Sequence, residues 1–297
     1  MFLTVVLWLL GIGVVLAFWV AWLEPRMVRT RRFTVQVPGL EAPLRAVVIG
    51  DLQPNNYHWP AERLEALFAR LQANEDPDLV LWLGDYFNAP TDMMKVVLEE
   101  NAGMGQWIEA RMPSMDQIAD AMAHLRGRLG DFAILGNHDW AWSGAKTEAA
   151  LSARGIRVLK DEVALTQCDR TGARLQVVGY EDISSGRTPA YERLHSEIDG
   201  RCGAVALAHS PDTFKFATGG PSLMLSGHTH GGQVRLPIIG PLLLPLNHTR
   251  YDRGWFGDGA RRLFVTTGLG TSLPPVRLLC VPEVAVLELV PEVANDG

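Results

Sequence analysis

Two histidines spaced two apart, His228 and His230, sit among glycines in Gly227-His228-Thr229-His230-Gly231-Gly232, directly after the apolar run Leu223-Met224-Leu225. Imidazole is the commonest transition-metal ligand, and glycine lets a backbone approach a metal or a phosphate closely. Alone, a His-x-His pair suits a hydrogen-bonded loop as well as a metal site. Four further polar clusters share its setting, each following an apolar run: Asp51-Leu52-Gln53, Gly84-Asp85, Gly136-Asn137-His138-Asp139, and His209-Ser210-Pro211-Asp212. Carboxylate, amide oxygen and imidazole together suit a pair of divalent ions such as Mn, Fe, Zn or Mg. Two such ions ~3.5–4 Å apart can clamp the attacking and leaving oxygens of phosphoryl transfer and acidify a bridging water. That chemistry needs neither a serine nor a cysteine nucleophile. The other histidines, His58, His124, His195 and His248, lack this context and read as ordinary surface or core residues.

The elements that must position these clusters are short strands alternating with helices. Strands are predicted at 45–49, 79–83 and 132–135, then at 175–178, 205–208, 223–225, 263–266 and 284–289. Leu64, Leu67, Phe68 and Leu71 fall on one helical face of 60–75, and a second helix is predicted at 115–129. Ligands at the C-terminal ends of adjacent strands converge on one rim, where open α/β sheets place their sites. The segment 87–113 reads as an insertion, either extra packing or a lid near the site.

The ordered series Asp51-x-Gln53, Gly84-Asp85, Gly136-Asn137-His138-Asp139, His209 and Gly227-His228-Thr229-His230 resembles the calcineurin-like metallophosphoesterase superfamily. The likeness covers roughly residues 46–289. It is greatest to a membrane-associated bacterial branch, through His209-Ser210-Pro211-Asp212, Gly227 to Pro237, and Thr267-Gly268-Leu269-Gly270-Thr271-Ser272. The resemblance implies an α/β fold with two facing mixed sheets flanked by helices. It implies one metal on Asp51, Gln53, Asp85 and His230, and a second on Asp85, Asn137, His209 and His228. His138 would contact phosphate and protonate the leaving oxygen, and Asp139, grouped with it as catalytic, would orient that loop. Gln53 departs from the family's usual histidine; a neutral amide oxygen is a harder, weaker ligand, and it tilts the metal toward Mn or Mg. Arg235, Arg250 and Arg253 are candidate phosphate contacts, with Arg235 and Arg253 preferred. Tyr57, Trp59, Trp140 and Trp142 read as either an apolar substrate slot or loop anchors.

The implied activity is hydrolysis of a phosphodiester or pyrophosphate bond by a metal-bridging hydroxide. The resembling branch includes UDP-2,3-diacylglucosamine pyrophosphatases, so a nucleotide-linked lipid is one substrate class. Soluble nucleotides, or a weakly catalytic membrane scaffold, are the alternatives.

Residues 1–23 carry no charged side chain. At ~1.5 Å per residue they would extend about 34 Å, enough for a ~30 Å hydrocarbon core. They read as a transmembrane anchor, followed by a basic juxtamembrane segment (24–43) and the phosphoesterase domain (44–297). A cleaved signal peptide needs a basic start and a shorter apolar stretch. Arg26, Arg29, Arg31 and Arg32 follow the span, and nothing basic precedes it, so the positive-inside rule predicts an inner-membrane protein with a cytoplasmic domain. An exported domain is the alternative. The same arginines could hold anionic lipid. A net charge of −6 argues against a nucleic-acid partner. The three cysteines form no Cys-x-x-Cys, which excludes a zinc knuckle and fits a reducing compartment.

Overall fold

Successive side chains on a strand alternate between faces, so a strand apolar at every position must be buried on both. In Leu44–Ile49, Ala46 and Val48 enter one buried cluster while Val47 and Ile49 enter another. Such a strand belongs between layers, and the computed structural model shows those layers. It describes residues 1–88, 112–169, 171–245 and 251–292. The expectations for most of the 87–113 insertion, for His248 and for Arg250 lie outside the described residues.

Strands are numbered in chain order. The first sheet runs, in spatial order, β1 (Arg29–Val37), β14 (Glu283–Pro291), β2 (Leu44–Ile49), β3 (Leu79–Trp82), β4 (Gly130–Ala133) and β5 (Arg157–Val158). The second runs β12 (Gly254–Gly257), β13 (Arg262–Val265), β9 (Leu223–Ser226), β8 (Gly203–Ala208), β7 (Arg174–Gly179) and β6 (Glu162–Gln167). Both sheets are mixed: β2, β3, β4 and β5 pair parallel, as do β7, β8, β9 and β13, while β14 and β2, β6 and β7, and β12 and β13 pair antiparallel. A small separate hairpin joins β10 (Arg235–Leu236) and β11 (Gly240–Pro241).

The central core lies between the sheets, where Val48, Leu81 and Ile134 meet Val177, Leu207, Leu225 and Phe264. Helix α2 (Ala61–Glu75) and helix α3 (Met115–Met122) cover the outer face of the first sheet, burying Leu64, Leu67, Phe68, Leu71, Ile118 and Met122 against Val47, Val80 and Trp82. Helix α4 (Asn137–Ser152) follows β4, and the short α5 (Tyr191–Glu197) and α6 (Thr213–Phe216) cover the second sheet through Leu194 and Phe214. The fold is the α/β sandwich that the resemblance implied.

Three local features differ from expectation. The second helix stops at Met122 rather than 129, because the N–H groups of Arg128 and Leu129 turn to the carbonyls of Pro77 and Asp78 (3.1 and 2.8 Å) and start β4 early. Helix α4 has no clean apolar periodicity; it starts where the carboxylate of Asp139 accepts from Gly136 N (2.9 Å). The segment 24–43, read as a basic linker and an extended entry from Phe33, contains β1, which starts already at Arg29, pairs parallel with β14 along nine residues and stacks Phe33 on Trp255 and Phe264.

The N-terminal apolar run forms helix α1 (Phe2–Phe18), prolonged by a π turn and a 3-10 turn to Arg26. Phe2–Arg26 is long and apolar enough to cross a membrane, with a mean hydropathy of 2.5 and none of its apolar window buried. Its last turns are fastened to the domain. Val20 O accepts from Arg277 N (3.0 Å), Ala21 O lies 2.8 Å from His58 Nε2, and Pro25 O accepts from Trp59 Nε1 (3.1 Å).

Candidate active site

Five adjacent parallel strand ends build the site. Asp51 and Gln53 follow β2, Asp85 follows β3, and Asn137 and His138 follow β4 in the first sheet; His209 follows β8 and His228 follows β9 in the second. Loop-to-loop hydrogen bonds fix their register: Asp51 N to Gly84 O (3.0 Å), Gln53 N to Asp85 O (3.1 Å) and Gly227 N to His209 O (3.0 Å). His228 N donates to Asp51 Oδ1 at 2.9 Å and so ties one sheet to the other. Asp51, Asp85, His228 and His230 all have positive φ, between 49° and 70°. A non-glycine residue held there stores ~1–3 kcal/mol of strain, a cost that concentrates at functional sites. Gly136 has to be glycine, since a Cβ there would sit 2.2 Å from Asp85 Oδ1.

One half of the site gathers around His209 Nε2. Asn137 Oδ1 and His228 Nδ1 each lie 3.2 Å from it, and Asp85 Oδ2 lies 3.3 Å away. His209 Nδ1 meets Leu83 O at 2.8 Å and His228 Nε2 meets Pro245 O at 2.9 Å. Each backbone carbonyl takes the proton of one ring nitrogen and turns the other nitrogen's lone pair inward, the usual outer support of a metal-binding imidazole. A single proton on His209 Nε2 could serve only one of three surrounding acceptors, whereas a divalent cation serves them all. Ligand atoms of Asp85, His209 and His228 all lie within 4.8 Å of one another. Burial pushes the Asp85 carboxyl up, but His209 and His138 outweigh it and hold the pKa well below the usual range; burial likewise opposes the His209 charge and Asp85 overrides it upward.

The other half is looser. Asp51 is fully buried, and its Oδ2 has no hydrogen-bond partner; neither has His230 Nδ1. Orphaned buried acceptors are costly in a folded protein, and a cation bound beside each would relieve that cost. Burial pushes the Asp51 carboxyl up to about 7 and the His230 imidazole well down, leaving that ring neutral and able to ligate. Gln53 does face the site: its Nε2 donates to Asp85 Oδ2 (3.0 Å) and its Oε1 accepts from Ser272 Oγ (3.1 Å), which also lies 3.5 Å from His230 Nε2. Gly268 leaves room for Asp51, whose Cβ would lie 2.6 Å from an added methyl.

Two carboxylates, two amides and three imidazoles form a donor set that suits divalent cations. Residues 44–232, from β2 through the His228–His230 loop, match the calcineurin-like phosphoesterase family. The chain belongs to that family. A metallophosphoesterase YkuE of Bacillus subtilis is 28% identical over 274 residues, covering 90% of this chain and 87% of its own. The phosphodiesterase YaeI of Escherichia coli is 30% identical over 253 residues, with 84% and 83% covered. A UDP-2,3-diacylglucosamine pyrophosphatase, LpxG of Chlamydia trachomatis, is 22% identical over 324 residues, with 91% of both covered. This calcineurin-like phosphoesterase is a metal-dependent phosphoester hydrolase.

The structure brings Asp51, Gln53, Asp85, Asn137, His209, His228 and His230 to one rim. His138 is there too, its backbone N–H donating to Asp85 Oδ1 at 2.9 Å. Asp139, grouped with His138 as catalytic and expected to orient that loop, is held by backbone N–H groups. It is fully buried, and its oxygens accept from the backbone N–H groups of Asp85 (2.8 Å), Tyr86 (2.9 Å) and Gly136 (2.9 Å). It is a positioning residue that locks the Asp85 and Asn137 loops together. Desolvation and the neighbouring Asp85 raise its carboxyl to about 7.

Arg235 and Arg253, expected at the phosphate, are held by protein groups. Arg235 Nη1 is held by Gly231 O and Asp252 Oδ2, both at 2.7 Å, and Arg253 donates to Leu279 O at 3.1 Å. Neither lines the cavity of about 430 Å³ that opens beside His228 and His230. That cavity is walled by Leu242, Leu243, Leu244, Leu273, Pro274 and Val276. The aromatic residues act as loop anchors: Trp59 is buried, Trp140 lies under Arg187 at 3.3 Å, and Trp142 packs on Phe87 at 4.8 Å.

Sequence reasoning missed Ser272 and Arg277. Arg277 is fully buried and donates to the carbonyls of Thr267 (2.8 Å), Gly270 (2.5 Å) and Cys280 (2.9 Å), shaping the loop that carries Ser272. Their only advance sign was the Thr267–Ser272 segment, which no spacing rule linked to the ligands.

Proposed function

We propose that this chain is a membrane-anchored phosphoesterase that uses two divalent ions to hydrolyse the phosphodiester or pyrophosphate bond of a lipid-linked substrate. The apolar cavity beside His228 and His230 carries this reading, because aliphatic walls next to phosphoryl-transfer ligands suit a phosphate attached to acyl chains. LpxG, a relative over most of both chains, is named for cleaving UDP-2,3-diacylglucosamine, a substrate of that class.

Asp51, Gln53, Asp85 and His230 would hold one ion; Asp85, Asn137, His209 and His228 would hold the other. Bound there, two divalent ions supply Lewis-acid polarisation and a lowered water pKa. The chain's own groups do the rest. The carbonyls of Leu83 and Pro245 keep His209 and His228 in the ligating tautomer. Asp139 holds the Asp85 and Asn137 loops in place, and His138 gives its proton to the leaving oxygen. Oxygen-rich ligation around Gln53 favours Mn over Zn.

The anchor reading for Phe2–Arg26 is supported by its fastening to the domain through Val20, Ala21 and Pro25, contacts that a cleaved leader would forfeit. The arginines following it support a domain on the cytoplasmic face. The test is hydrolysis of UDP-2,3-diacylglucosamine and of soluble bis-p-nitrophenyl phosphate by the Mn-loaded full chain, before and after chelation. Chelator-sensitive cleavage of both, with preference for the diacyl substrate, is expected. Cleavage of the soluble ester alone overturns the lipid assignment.

A further inference from the structure

The β10–β11 hairpin is unusual for a surface turn. Ile238 and Ile239 at its tip are 107% and 71% exposed, and Leu243 just past β11 is 82% exposed. Ile239 N donates to Pro237 O at 2.8 Å across Ile238, whose φ is +70°. This is a γ-turn of the rare, strained hand, held by a β-branched residue that disfavours it. A turn under no demand beyond reversal would carry glycine there. Here an aliphatic side chain is kept at the tip despite the strain.

The hairpin also sits at the foot of the apolar N-terminal helix. Arg235 N donates to Leu278 O and Leu278 N donates to Gln233 O, both at 2.9 Å. Arg277, the next residue, gives its N–H to Val20 O at 3.0 Å. The base of the hairpin is therefore one residue away from the residue that grips the helix. Exposed Leu273 and Leu279 continue the apolar surface between them. Two arginine-bearing hollows flank the helix foot: Arg26, Arg63 and Arg70 line one, and Arg29, Arg31 and Arg253 line the other, where Glu283 pairs with Arg31 at 3.4 Å. Arginine stems beside apolar surface with cationic heads in phosphate-rich solvent are what a headgroup layer accommodates. Burial, then the charges of Arg26 and Arg70, lower the Arg63 pKa, as in a cationic cluster short of anions.

We propose that the β10–β11 hairpin inserts Ile238 and Ile239 into the lipid leaflet that the N-terminal helix enters, so that the cavity beside His228 and His230 opens at headgroup depth. This rests on the reading of Phe2–Arg26 as a membrane anchor. Leu242, Leu243 and Leu244, which leave β11 and line that cavity, then form a continuous apolar path from the leaflet to the ligands. Apolar side chains at an interface, joined by arginines that attract anionic lipid, form a two-part membrane contact.

The experiment uses the full chain in lipid nanodiscs containing phosphatidylglycerol, with nitroxide labels on Ile239→Cys, Leu9→Cys and Glu192→Cys, one at a time. The native Cys168, Cys202 and Cys280 are buried, so labelling favours the introduced thiol. Collision with oxygen against a water-soluble nickel chelate reports the surroundings. The expected result is a lipid signature at positions 9 and 239 and a water signature at 192. A water signature at 239 with lipid at 9 overturns the hairpin proposal and leaves the anchor standing; water at both overturns both. Low access to either reagent at 239 means that a second protein surface covers the tip, which also overturns it. As a second readout, Ile238→Ser/Ile239→Ser should lower activity on a diacyl substrate in the disc by about tenfold, the scale of losing two interfacial aliphatic groups. Hydrolysis of bis-p-nitrophenyl phosphate should not change. An equal loss on both substrates would show that the hairpin supports the fold rather than the membrane contact.

Discussion

The two halves of the metal rim are built differently. Around His209 three of the four ligand-type residues have an outer support: Leu83 O orients His209, Pro245 O orients His228, and His138 N donates to Asp85. Around Gln53, Asp51 Oδ2 and His230 Nδ1 have no partner, and the amide is shared between Asp85 and Ser272. A preorganised set of ligands is held in place before the metal arrives, whereas an unsatisfied set needs the metal to relieve it. The His209 half should fill first and hold tighter, and the Gln53 half should respond most to changes in metal and pH.

Asp85 belongs to both halves, so Asp85→Ala has the largest expected effect. Both ions should be lost, and activity should fall further than the roughly 10²–10⁴-fold ascribed to general acid catalysis. Elemental analysis finding two retained ions would remove Asp85 from its shared position. His138 comes next. His138→Ala should cost roughly 10²–10⁴-fold in kcat with metal content near wild type, and less for a good leaving group such as p-nitrophenol. An equal loss across leaving groups of widely different pKa would assign His138 to phosphate binding instead.

A sharper test of the asymmetry is Gln53→His. Imidazole in place of the amide should tighten the Gln53 half by about 10–100-fold, most for Zn or Fe, while the His209 half stays put. Stepwise metal titration separates the two sites, and identical wild-type and mutant curves would strike Gln53 from the ligands. The smallest effect is on pH. In the metal-free protein the carboxyls of Asp51 and Asp139 are raised from 3.8 to about 7. Between those values the folded chain holds protons that the unfolded chain has released, so this contribution to metal-free stability is present in acid and fades as pH rises toward 7. A metal at Asp51 must displace its proton, so metal should raise Tm more at about pH 7.5 than at about pH 5.5 and should release protons on binding. Equal Tm gains at both values would mean that Asp51 does not ligate.

The order of ligand types could be read because each ligand follows an apolar run, and a parallel strand between layers is apolar throughout. Helix α2 was legible from its 3.6-residue period, whereas α4 was not: its first turn is Asn137-His138-Asp139, chosen for the site rather than for a buried stripe. The first half of strand β1 read as linker because Arg29, Arg31 and Arg32 crowd it. Their partners, Glu75 for Arg32 and Glu283 for Arg31, are far off in sequence. The ion pair of Arg235 was hidden for the same reason, since nothing local to it announces Asp252.

The sequence by itself determined the enzyme family, the seven ligand-type residues and the apolar N-terminal helix, because each is a matter of side-chain type and short spacing. Only the tertiary structure decided which backbone N–H groups Asp139 holds, that Arg277 is buried among the carbonyls of the Thr267–Gly270 loop, and that an aliphatic cavity and an exposed hairpin sit beside the foot of that helix. Those facts depend on contacts between residues such as Val20 and Arg277, or Gln53 and Ser272, separated by more than two hundred positions. Chain closure over such distances is set by packing of the whole sandwich, which no local pattern encodes.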